Sequence, residues 1–85
     1  MEKAKIKELR GKAHKLDPTV RIGKSGITES IIEELKGQLK QKKLVKAKVL
    51  GCDRNEVKRI SEELSQRSNS ELIDVKGNVI VMYKR

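Results

Sequence analysis

Aromatic side chains are almost missing from this chain: Tyr83 stands alone, with no Phe and no Trp among 85 residues. Proteins that grip single-stranded nucleic acid by stacking its bases need several such rings, so stacking is excluded as the main mode of recognition here. The core is left to Ile, Leu and Val. There is a single cysteine, Cys52, and a single histidine, His14. An intrachain disulfide is therefore ruled out, and a His/Cys metal centre lacks ligands. No apolar run approaches the ~20 residues that cross a bilayer. The opening segment MEKAKIKELRGK has no uninterrupted apolar stretch of the kind a secretion signal needs. These absences lead to the expectation of a reduced, cytoplasmic protein without metal or cofactor.

Charge, by contrast, is abundant and one-sided. Lys and Arg number 21 against 12 Asp and Glu, a formal net charge of +9. Residues 1–52 hold 14 Lys plus Arg against 6 Asp plus Glu, while residues 53–85 hold 7 against 6, so nearly all the excess lies in the first part of the chain. That concentration exceeds what solubility needs and matches the footprint of a polyanion binder. A chain this short buries only about 60% of its unfolded surface, which favours a surface function over a deep catalytic cavity. One domain spanning 1–85 is expected.

Apolar spacing divides the chain into seven elements. Ile6, Leu9, Ala13 and Leu16 mark one stripe of a helix over residues 3–15, ended by Asp17-Pro18 because the residue before proline avoids the helical region. Thr19 to Ile22 reads as a short strand. Thr28 is a good N-cap for a helix running to about Lys42, with Ile31, Ile32, Leu35 and Leu39 inward. In Leu44 to Leu50 the residues Val45, Ala47 and Val49 share one face and Lys46 and Lys48 the other. Asp53, with Glu56 three residues on, caps a helix ending near Arg67. Leu72–Lys76 and Val79–Lys84 flank Gly77-Asn78, a two-residue hairpin turn of type II′, with Ile73 and Val75 inward and Asp74 outward. The order α-β-α-β-α-β-β predicts an α+β, two-layer fold in which a mixed four-stranded sheet packs on helices.

Gly23-Lys24-Ser25-Gly26 falls between the first strand and the second helix. Glycines at both ends let backbone approach a phosphate without a Cβ in the way, and the first amides of the following helix point the same way. G-x-x-G loops that clamp a nucleic-acid backbone use this geometry. Arg21, Lys46 and Lys48 add cations around it, as do Arg10, Lys12, His14 and Lys15 at the end of the first helix. A nucleotide-binding P-loop is the rival reading of Gly23-Lys24-Ser25, since these letters close G-x-x-x-x-G-K-[ST]. That motif needs glycine at position 18, where Pro18 has a fixed φ and no amide hydrogen. No pair of residues is singled out for acid–base or nucleophilic work, so no catalytic residues and no small-molecule substrate are expected.

The run from Ala13 to Thr28, AHKLDPTVRIGKSGIT, followed by LVKAKV at 44–49 and GNVIVMYKR at 77–85, resembles the CRM domain (chloroplast RNA splicing and ribosome maturation) in its stand-alone prokaryotic, YhbY-like form. The resemblance covers essentially the whole chain. It implies a fold similar to the C-terminal domain of translation initiation factor 3. It also implies RNA binding through the G-x-x-G loop and adjoining basic surface, in the service of large ribosomal subunit assembly. Carried over by residue, Gly23, Lys24, Ser25 and Gly26 form the RNA loop, flanked by the lysines of 44–50 and the basic end of the first helix. Asp17 and Ala47 depart from the family's pattern.

The expectation is a monomeric RNA-binding protein that holds structured RNA, ribosomal RNA or a pre-ribosomal particle, through phosphates and shape. It has no membrane partner. A permanent ribosomal protein, a DNA-binding architectural protein and a P-loop-like enzyme are the alternatives.

Overall fold

The computed structural model describes residues 2–23, 26–51 and 53–85. Seven elements follow one another: α1 (Lys3–Ala13), β1 (Val20–Ile22), α2 (Glu29–Lys42), β2 (Leu44–Val49), α3 (Arg54–Arg67), β3 (Ser70–Lys76) and β4 (Val79–Lys84). The strands form one sheet in the order β1-β2-β4-β3, with β1 parallel to β2 and the other neighbours antiparallel. Parallel pairing of β1 and β2 requires a crossover, and α2 supplies it.

Local sequence signals set most boundaries. Thr28 Oγ1 accepts the amide of Ile31 at 3.2 Å and opens α2, and Asp53 Oδ1 accepts the amide of Glu56 at 2.9 Å and opens α3. Such caps satisfy amides that have no partner inside the helix. Gly77 has φ +61°, whereas Asn78 is not among the positive-φ residues. That combination fits the type II′ turn between β3 and β4. Helix α1 has no side-chain cap at Glu2 and carries Gly11 in its interior. Its order depends on docking Leu9 and Ala13, both 2% exposed.

Two apolar clusters lie on opposite faces of the sheet. Val20, Ile22, Val45, Ala47, Val49, Ile80 and Met82 turn toward α2 and α3, meeting Leu35, Leu39, Val57 and Leu64. Leu44, Ile73 and Val81 turn the other way and receive Leu9 and Ala13 of α1. The α+β class and mixed four-stranded sheet agree with the sequence reading, but its two-layer description does not: α1 forms a third, partial layer. Burying alternate residues on both faces of β2 and β4 is what makes room for it.

Strand β3 corrects a second expectation. Its pairing with β4 shifts between Leu72, opposite Met82, and Asp74, opposite Val81. The extra residue, Ile73, makes a β-bulge, which reverses the alternation beyond it. Ile73 thus packs toward α1 and Val75 toward the other helices, and Asp74, expected outward, shares the α1 face with Val81. The apolar stripe of α1 also ends sooner than its spacing predicts. The helix stops at Ala13 and Leu16 is 41% exposed, since the chain turns toward β1 before completing another turn.

Candidate nucleic-acid interface

The register of the sheet builds a row of cations on the face that α1 only partly covers. Arg21 stands beside Lys48 on the parallel neighbour strand, Lys48 is opposite Val79, and Val79 is opposite Lys76. The row Arg21–Lys48–Val79–Lys76 therefore crosses all the strands, about 14 Å at one strand spacing per step. Arg21 and Lys76 are exposed and Lys48 half-buried. One row further along, Asp74, Val81 and Lys46 repeat the pattern beneath the end of α1.

Between α1 and this face runs a groove of about 160 Å³, floored by Val79 and Val81 and edged by Arg10, His14, Lys46 and Lys76. Asp74 is the acidic residue in its wall, 3.8 Å from Arg10. Lys46 also braces the fold, because its Nζ donates to the Leu16 carbonyl at 3.0 Å and so ties the segment after α1 to β2. Thr19 supports that segment from the other side through its hydroxyl, which donates to Gln38 Oε1.

The glycines lie at the same end of the sheet. Gly23 follows β1 directly, and the Gly26 amide donates to the Gly23 carbonyl at 3.0 Å. Gly26 has φ +76°, and a Cβ built on either glycine meets nothing within 4 Å. A Cβ at either glycine would thus project into space free of other described atoms. The hairpin tip closes the same end, with the Val49 amide bound to the Asn78 carbonyl at 2.8 Å and the Asn78 side chain to the Val49 carbonyl at 3.1 Å. Lys24 and Ser25, expected at the loop tip, and Cys52 lie outside the described residues.

Of the candidates from sequence, Gly23, Gly26, Arg21, Lys46, Lys48, Arg10 and His14 are brought to one face and its upper edge. Lys12 pairs with Glu8 at 3.3 Å and lines an adjoining groove with Leu16, Asp17 and Lys42, which meets the first at Lys46. Lys15 is exposed just past the helix. Sequence reasoning missed Lys76 and Asp74. The position of Lys76 immediately before the Gly77-Asn78 turn places it opposite Val79 in any two-residue hairpin, but only the insertion of β4 between β2 and β3 aligns it with Lys48. Among the described residues, no group of His, Cys, Asp and Glu is arranged to hold a metal ion, and no helix is long and apolar enough to cross a membrane.

The family model of the CRS1/YhbY (CRM) domain matches residues 1–84. The chain belongs to this family. Its CRM relatives include the "Probable RNA-binding protein YqeI" of Bacillus subtilis, 36% identical over 76 residues that make up 89% of this chain and 79% of that one. An "RNA-binding protein" of Haemophilus influenzae is 32% identical, covering 89% of this chain and 77% of its own. The CRM fold here also superimposes on the solution structure of a Staphylococcus aureus protein described as "a putative RNA binding protein". The TM-score is 0.89 at 35% identity, over 100% of this chain and 88% of the other. The sequence resemblance to stand-alone CRM domains is thereby confirmed.

Proposed function

We propose that this CRM domain is a non-catalytic RNA-binding protein that holds the phosphate backbone of structured RNA on the open face of its sheet. The observation that carries this reading is the cationic row Arg21–Lys48–Lys76, set next to two glycines at which an added Cβ would meet no described atom. Like charges at adjacent sheet positions oppose folding, so Arg21 beside Lys48 is a cost that a bound polyanion repays. The names of its relatives support RNA as that polyanion.

The G-x-x-G loop contributes backbone contacts to one strand, and Lys24 and Ser25 add a charge and a hydroxyl there. Arg10, His14 and Lys46 extend the surface along α1. Tyr83 is spent on packing: it is half-buried against the α1 cluster with Lys5 Nζ 5.8 Å from its ring centre. Recognition thus rests on phosphates and shape rather than on stacked bases. The target we assign is ribosomal RNA in precursors of the large subunit, reached in the cytoplasm by a monomer that needs no cofactor.

Crosslinking the protein to RNA in its cells and sequencing what is attached tests this assignment. Large-subunit ribosomal RNA, recovered from precursor particles and lost with the R21E/K48E variant, is the expected result. Recovery from mature ribosomes alone makes the protein a permanent ribosomal component. Equal recovery of RNA with parent and variant refutes the face as the interface.

A further inference from the structure

A second group of cations lies at the opposite end of the sheet and on its opposite face. Lys36 and Lys40 of α2, with Lys84 and Arg85 at the end of β4, surround a groove of about 360 Å³ over Leu39. The α3–β3 turn at Ser68 and Asn69 closes it. No Asp or Glu side chain lines this groove among the described residues. Glu71 engages Arg85 from outside at 3.3 Å, while Lys36, Lys40 and Lys84 take part in no ion pair among the described residues.

Attraction to the α2 carbonyl end accounts for Lys40, in the last turn, but not for Lys36, a turn earlier, or for Lys84 on a strand, because that field fades beyond the final turn. Lys36 and Lys40 are moreover an i, i+4 pair of like charge, which disfavours the helix. Nearby cations are treated differently: Arg67 on α3 meets both Glu63, at 3.3 Å, and Glu29, at 3.9 Å. Arg67 is thus paired twice over, whereas Lys36, Lys40 and Lys84 around the groove face no carboxylate partner among the described residues.

We propose that the groove bordered by Lys36, Lys40 and Lys84 is a second phosphodiester-binding site, so that one domain joins two separate RNA segments. The proposal rests on the RNA-binding reading of the first face. Because the first face lies on the α1 side of the sheet and the groove over Leu39 on the other, one short segment does not reach both. An RNA folded around the domain does. Joining two sites through one RNA raises affinity by effective concentration without any new contact.

The stoichiometry of a short RNA hairpin on the full chain, measured by native mass spectrometry and fluorescence anisotropy at low salt, tests this. The parent is expected to take two hairpins, the K36E/K40E/K84E variant one, and R21E/K48E/K76E one. For a longer RNA carrying both segments, K36E/K40E/K84E is expected to lose on the order of 10²-fold in affinity. Circular dichroism melts establish that the variants fold: Lys36, Lys40, Lys84, Arg21 and Lys76 are exposed, and the half-buried Lys48 is the one position where a small loss of stability is expected. A parent that takes one hairpin, lost only in R21E/K48E/K76E, overturns the second site and leaves the first reading standing. A parent that takes none overturns both. If K36E/K40E/K84E keeps two hairpins but no longer binds a polyglutamate peptide, the groove serves an acidic protein and the RNA assignment fails.

Discussion

Asp74 sits 3.8 Å from the guanidinium of Arg10, across the groove between β3 and α1. The pair holds a negative charge in the wall of an otherwise cationic surface. Its side chains, Arg10 first, are 55% and 32% exposed, so water screens it and its contribution to stability is about 0–1 kcal/mol. Removing the carboxylate charge with Asp74→Asn is expected to tighten RNA binding, since it frees Arg10 and deletes a repulsion. Titration of a structured RNA at low salt checks this, and weaker binding by the variant contradicts it.

Lys46 and Lys48 are separable despite their shared strand face. Among the described residues Lys46 donates to a backbone carbonyl, that of Leu16, and Lys48 does not. Lys46→Ala is expected to lower stability by about 0.5–1 kcal/mol, for an exposed hydrogen bond, and also to weaken RNA binding. Lys48→Ala is expected to weaken binding alone. Urea melts beside anisotropy titrations distinguish the two.

The two loop glycines also differ. Gly26 has φ +76° and strains any residue with a Cβ; Gly23 does not have positive φ, and its surroundings are open. Gly23→Val is therefore expected to leave the melting temperature nearly unchanged while reducing RNA affinity, by blocking close backbone approach. Gly26→Val is expected to cost stability as well, of order 1–3 kcal/mol. Normal RNA binding by Gly23→Val reduces that end of the loop to a plain turn.

Helix α1 is the element most dependent on tertiary contact, lacking a side-chain cap and containing Gly11. Truncating Leu9, 2% exposed against Ile73 and Val81, costs about 2–5 kcal/mol by cavity formation. Hydrogen exchange is expected to show α1 opening before the sheet in Leu9→Ala. RNA binding falls with it, because Arg10 and His14 leave the groove.

What the sequence disclosed follows from which interactions are local. Thr28 and Asp53 announce their helices because a cap needs only residues three positions apart, and Gly77-Asn78 announces its hairpin for the same reason. Placement of α1 on the far face was not legible, since Leu9 and Ala13 read alike whichever face they bury. The bulge at Ile73 was hidden too: IDV alternates cleanly on paper, and only pairing with β4 shows that Asp74 and Val75 have traded sides. For the interface, Arg21, Lys46 and Lys48 stood out by neighbouring the glycine loop. Lys76 did not, because its alignment with Lys48 depends on strand order, a property of the whole chain. Lys12, close in sequence to Arg10, lines the adjoining groove, which meets that of Arg10 at Lys46.

The most direct test measures how RNA affinity depends on salt for the parent and for R21E/K48E/K76E. Each phosphate neutralised contributes about −0.7 to −0.9 to the slope of log K against log salt. If the row Arg21–Lys48–Lys76 is the interface, the variant binds far more weakly and its slope is shallower by about 2–3. A variant with the parent's affinity and the parent's slope would show that the RNA lies elsewhere on the protein.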